Sequence, residues 1–101
     1  MAVFKSQADR SRLVEILKSI NPTTVAAYGP ALDAWLTLPT DLAALVAILR
    51  LINPQTVNVY GPMLDAWLTG PDRFVLVQIL KLINPMLAPA YGPLLDAWAS
   101  S

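Results

Sequence analysis

Residues 53–69 read NPQTVNVYGPMLDAWLT, and the pattern occurs three times in the chain. Asn-Pro begins it at Asn21, Asn53 and Asn84. Tyr-Gly-Pro follows at Tyr28, Tyr60 and Tyr91, and Leu-Asp-Ala-Trp closes it at Trp35, Trp67 and Trp98. Working outward, Ile16 to Thr37, Ile48 to Thr69 and Ile79 to Ser100 align without gaps, and Asp9, Asp41 and Asp72 precede them at spacings of 32 and 31 residues. Self-similarity at such a period is the signature of a repeat architecture. The reading is one domain over residues 1–101, with units at 9–40, 41–71 and 72–101. The one-residue difference falls where Leu38-Pro39-Thr40 becomes Gly70-Pro71.

The first part of each unit has helical periodicity: Leu13, Ile16, Leu17 and Ile20 share one face, and the other copies repeat the stripe. Asp9, Asp41 and Asp72 suit a helix start, where a carboxylate accepts orphan amide protons. Lys18, Arg50 and Lys81 suit the carbonyl end, and an ion pair to an Asp of the same or the next copy is expected from them. Asn-Pro then ends one helix and begins another, with Pro in the first helical position. The second part contains Gly-Pro, and an interior Pro costs about 3 kcal/mol in a helix. That predicts two short helices, over 54–60 and 62–68 in the second unit, with Pro89 reinforcing the break in the third. The expected fold is all-α: three tandem units of about 32 residues, each a helix, an Asn-Pro turn and Gly-Pro-broken short helices, stacked as a miniature α-solenoid. The Trp-Leu-Gly-Tyr pattern of tetratricopeptide repeats and the Thr-Pro-Leu-His of ankyrin repeats do not occur.

Composition narrows the function classes. The 101 residues carry seven basic and seven acidic side chains, which gives no positive field for a nucleic acid. Cys and His are absent, so disulfides, thiol nucleophiles and thiolate or imidazole metal ligands are excluded. The apolar share is 55% and the charged share 14%, against about 45–50% and about 25% in ordinary soluble domains. Arg50, Asp65 and Lys81 interrupt every stretch that could otherwise span a membrane. No export signal is read at the N-terminus, which makes cytoplasm the default location.

Differences between copies point to a surface. In an open stack, a position facing an absent neighbour should be polar. Arg12 and Ser19 stand where Ala44 and Leu51, then Val75 and Leu82, stand in the later copies, so the first copy reads as a polar cap together with Arg10, Ser11 and Glu15. The third copy instead becomes more apolar, and Phe74, Val75, Met86, Leu87 and Leu94 are expected to form an exposed oligomer interface. Arg12 and Ser19 argue against a head-to-tail fibre and against a closed three-unit ring, leaving a two-fold homodimer.

Tyr28, Tyr60, Tyr91, Trp35, Trp67 and Trp98 read as the repeat core, the indoles needing one acceptor each. A polar group copied three times repeats one structural job, so Asp33, Asp65 and Asp96 are not assigned to catalysis, a metal or a cofactor. The resulting expectation is a non-enzymatic, self-associating scaffold module. The alternatives are a binder of lipid or another apolar ligand, and an adaptor that holds a partner protein's helix.

Overall fold

Each of the three stretches carrying Tyr-Gly-Pro folds as one uninterrupted helix. A computed structural model describes residues 3–101. Its elements are α1 (Gln7–Leu17), α2 (Val25–Leu36), α3 (Leu42–Leu49), α4 (Val57–Trp67), α5 (Arg73–Leu80) and α6 (Ala88–Ser100), with no strand among the described residues. The expected pairs of short helices are therefore replaced by α2, α4 and α6, which run through Pro30, Pro62 and Pro93. The physical reason is geometric. Tyr28, Leu32 and Trp35 are buried at i, i+4 and i+7, a stripe that exists only if the helix is continuous. Pro30 lies on the opposite, exposed side, and the carbonyl it leaves without an amide partner belongs to exposed Ala26. Gly29, Gly61 and Gly92 have ordinary negative φ, so none terminates a helix. Pro89 sits at the start of α6, where its missing N–H costs nothing.

Asn-Pro does not place its Pro first in a helix. The Asn21 side-chain oxygen accepts from the Thr23 amide at 3.2 Å, and Asn53 does the same with Gln55 at 3.1 Å, making a tight turn before the helix starts. The starts of α3 and α5 follow expectation: Asp41 accepts from the Ala44 amide, and Asp72 from those of Phe74 and Val75. The start of α1 does not. Its cap is Ser6, and Asp9 lies one turn inside, with its amide donating to the Ser6 hydroxyl.

Three sets of equivalent bonds organise the core. The buried Tyr28, Tyr60 and Tyr91 hydroxyls donate to the Leu17, Leu49 and Leu80 carbonyls at 2.6, 2.9 and 2.6 Å, capping α1, α3 and α5 at their carbonyl ends. The Trp35 indole N–H donates to the Asp41 carbonyl and that of Trp67 to the Asp72 carbonyl, while that of Trp98 returns to the Asp9 carbonyl at 3.0 Å. The side-chain amides of Asn21, Asn53 and Asn84 donate at 2.9 Å to the Ile52, Ile83 and Ile20 carbonyls. Both cross-segment series close on themselves.

In packing terms, α2 meets α3, α4 meets α5, and α6 meets α1. The body measures 30 × 24 × 24 Å with a radius of gyration of 12.2 Å. An open stack with a polar first end and a bare third end does not describe this arrangement, because the third segment covers the first. Arg12 and Ser19 are exposed, but so are their counterparts Val75, Leu82 and Leu51. Ala44, the remaining counterpart, is half-buried, so exposure at these positions does not distinguish the first segment as an end of a stack.

Arg10, expected in a polar cap, is instead buried, and so is its third-segment counterpart Arg73. Arg10 lies over the Trp35 ring at 4.2 Å and donates to the Trp35 and Leu38 carbonyls; Arg73 lies over Trp98 at 4.2 Å and donates to the Trp98 and Ala99 carbonyls. Each thereby satisfies carbonyls at the end of a helix, which burial without a donor would penalise. The middle segment has the half-buried Leu42 at this position.

Candidate functional surface

The exposed large apolar side chains are unevenly spread. On α4, α5 and the turn after α5, the exposed set is Val59, Met63, Phe74, Val75 and Leu82. Their counterparts in the first segment are Ala27, Ala31, Ser11, Arg12 and Ser19. Thus positions that carry exposed large apolar residues on α4, α5 and the turn after α5 hold small or polar ones in the first segment, while Leu38, Leu51, Met86 and Leu94 are the exposed large apolar residues elsewhere. Among the residues of α5, only Arg73 is charged, and it is buried, so the outward side of this helix is neutral.

The five residues expected at an interface differ in exposure. Phe74 and Val75 lie exposed on α5, at 56% and 47% of their full accessibility. Met86 stands on the turn before α6, 90% exposed. Leu87 is half-buried against the core as the residue preceding α6. Leu94 lines a groove of about 300 Å³ between α6 and α1, with Arg12, Glu15, Ile16, Ala97 and Trp98. Met63 and Leu82 also differ between copies, with Ala31 and Ser19 at these places in the first, but lie outside the expected interface. The signal that joins Leu82 to Val75 is helical phase: the two are seven residues apart, two turns along one side of the same segment.

The six aromatic core residues are all buried, and burial pushes the phenols of Tyr28, Tyr60 and Tyr91 above their ordinary pKa, against smaller opposing effects of the Asn21, Asn53 and Asn84 amides. They remain protonated donors through the neutral range. Lys18 pairs with Asp33 at 2.7 Å, Arg50 with Asp65, and Lys81 with Asp96 at 2.8 Å, each within one unit. In each case the cation's stem passes over the Gly of Tyr-Gly-Pro, at 4.0 Å or closer to the place a Cβ would take. These carboxylates are more than half exposed and held one per segment. Among the described residues no three acidic groups gather in a way that could hold a metal ion.

Asp9 differs from every other carboxylate. It is 1% exposed, receives Arg73 at 2.7 and 3.3 Å and Arg12 at 3.1 Å, and accepts the Lys5 amide at 3.0 Å. Burial by itself raises its pKa, but the hydrogen bonds from Arg73 and Lys5 and the charges of Arg73 and Arg12 outweigh burial and hold it below the usual carboxylate value.

A second depression, of about 410 Å³, opens where the three Asn-Pro turns meet, lined among others by Asn21, Asn53 and Asn84. Their amide nitrogens are already spent on the neighbouring carbonyls, so this ring is occupied by its structural task. No helix of the described residues is long and apolar enough to cross a membrane. Comparison of the chain with protein-family models, with curated proteins and with solved structures finds no match.

Proposed function

We propose that this chain is a non-enzymatic module of three tandem helical repeats joined head to tail, and that it works by self-association through the apolar side chains exposed on α4 and α5. The supporting observation is the one-sidedness of that surface. Val59, Met63, Phe74, Val75 and Leu82 are exposed, whereas equivalent places in the first segment hold Ala27, Ala31, Ser11, Arg12 and Ser19. A concentration of exposed large apolar side chains favours an interface.

A second copy of this chain is the occupant that the chemistry favours. The outward side of α5 is uncharged, so two copies meet across it without like-charge repulsion. One patch per chain also gives a closed two-fold pair instead of a fibre, which would need a complementary surface elsewhere. A non-enzymatic role fits a set of polar groups whose members each have a structural partner: phenol to helix-end carbonyl, indole to backbone, Asp to Lys or Arg.

The test is molar mass by light scattering behind size exclusion for the parent, Val75→Glu and Leu94→Glu. The parent should elute at twice 11.0 kDa and Val75→Glu at one. Leu94→Glu should stay dimeric, because position 94 faces the groove beside Arg12. A monomeric parent, or a mass that responds to position 94 and not 75, would remove this interface.

A further inference from the structure

Phe74, Gln78 and Leu82 stand four residues apart along α5 and the turn after it, and all three are exposed. The row runs on past the last residue of α5 because Lys81 keeps right-handed helical dihedrals and the Leu82 amide donates to the Ile79 carbonyl at 2.9 Å. Residues at this spacing form a ridge on one side of a helix, and ridges of this kind are what helices pack by. The buried residues Arg73, Leu76, Val77, Ile79 and Leu80 take the rest of the circumference. The row is symmetrical about its middle: one apolar side chain four residues before Gln78, another four residues after, and an uncharged amide between them. The equivalent rows are Ser11, Glu15 and Ser19 in the first segment and Ala43, Ala47 and Leu51 in the second, neither of which has this symmetry.

Building on the self-association through α4 and α5, we propose that Gln78 lies on the two-fold axis of the pair and fixes its register, with the two α5 helices antiparallel. A residue on a two-fold axis must bond to its own copy. The carboxamide of Gln satisfies that demand, since its N–H donates to the partner's C=O while its own C=O accepts, so neither polar atom is buried without a partner. A carboxylate lacks the donor, an ammonium lacks the acceptor, and either would meet a like charge.

The spacing supplies the remaining contacts. With position 78 on the axis, Phe74 of each copy lies across from Leu82 of the other, so one apolar contact is made twice. Moving the axis by two residues would set the amide against the partner's Phe74 and leave its hydrogen bonds unmade. A single polar residue within an apolar helix contact is a known way of specifying register and orientation.

The experiment is molar mass by light scattering behind size exclusion on the full chain carrying Gln78→Glu, on Gln78→Lys, and on an equimolar mixture of the two. Each variant alone should elute at 11.0 kDa at a concentration where the parent elutes at twice that mass, and the mixture should return to twice. Only if position 78 faces position 78 does one substitution meet the other. Circular dichroism should match the parent in both, because the position is exposed and the first segment already carries Glu15 at the same place in its helix. Variants that remain dimeric alone, or a mixture that stays monomeric, overturn the placement of Gln78 while a monomeric Val75→Glu leaves the interface itself standing. A monomeric parent removes the interface, and the role of Gln78 with it.

Discussion

The α4/α5 seam and the α6/α1 seam rest on the same bond, an indole N–H donated to the backbone of the next segment at 2.9 and 3.0 Å. They differ in what surrounds it. The first is spanned by the chain itself through Gly70-Pro71, and its outward positions are apolar. No peptide link crosses the second between the helices it joins, and there Asp9, Arg73 and Arg12 form a network with two nearly fully buried members. Where covalent connection holds neighbouring segments together, apolar packing suffices; where it is missing, directional charged contacts fix the register. Burying charge is expensive, and a buried pair is retained where it specifies geometry more than where it adds stability.

That contrast can be broken at its strongest point. Arg73→Leu imports the residue found at Leu42 in the middle segment but strands Asp9 without its main partner. A loss of about 3–5 kcal/mol is expected by urea denaturation. Adding Asp9→Ala to the same chain should recover most of it, because no uncompensated charge then remains. Equal loss in the single and double variants would mean that the cation's packing over Trp98, not the pair, holds the seam.

Acid titrates the same feature less severely. The folded Asp9 carboxyl lies below its unfolded value, so its contribution is complete above the ordinary carboxylate range near pH ~4 and is lost as pH falls through the folded pKa. The urea midpoint should drop below about pH 4, with a shallower slope in Asp9→Asn. At the other extreme the three phenols have raised values, so what they contribute is intact below about pH 10 and lost as pH climbs through their folded pKa. An acid limb unchanged in Asp9→Asn would locate the sensitivity in other carboxylates.

The smallest effect sharpens the reading of the helices that run through proline. Gly61 has no positive φ, and a Cβ there meets Val57 at 3.5 Å and Arg50 at 3.8 Å, ordinary contact distances. Gly61→Ala is therefore expected to stabilise by about 0.5–1 kcal/mol through helix propensity and reduced freedom of the unfolded chain. A clear loss instead would show that the stretch needs a glycine's flexibility after all.

Much of this was legible from residue spacing. The repeated stripe identified α1, α3 and α5, and the tripled Tyr and Trp identified the buried aromatic set. Lys18 with Asp33 and its two equivalents followed from placing each cation at a helix end. What spacing does not encode is which side of a helix meets the next unit, so the polarity of Arg12 suggests a cap where the side chain instead pairs with Asp9 at the α6/α1 seam. Proline carries a similar ambiguity: Pro30 breaks a helix when its side is covered and is tolerated when that side meets solvent. Arg10 and Arg73 escaped because their burial depends on carbonyls some 25 residues away, at Trp35 and Trp98. The contacts of Phe4 with Trp35 and Trp98 depend on two indoles that its own stretch of sequence cannot reveal.

The closing of the third segment on the first also bears on how the chain reaches this structure. Contacts within a segment and across the two spanned seams join residues near one another in sequence, whereas Trp98 reaches Asp9 across 89 positions and Asn84 reaches Ile20 across 64. Long-range pairing must overcome the entropy of drawing distant chain ends together before any contact repays it, and topology of this kind slows folding relative to bundles with only local contacts. Helical hairpins are therefore expected to form before the last helix meets the first, a closure in which Arg73 acts as the clasp.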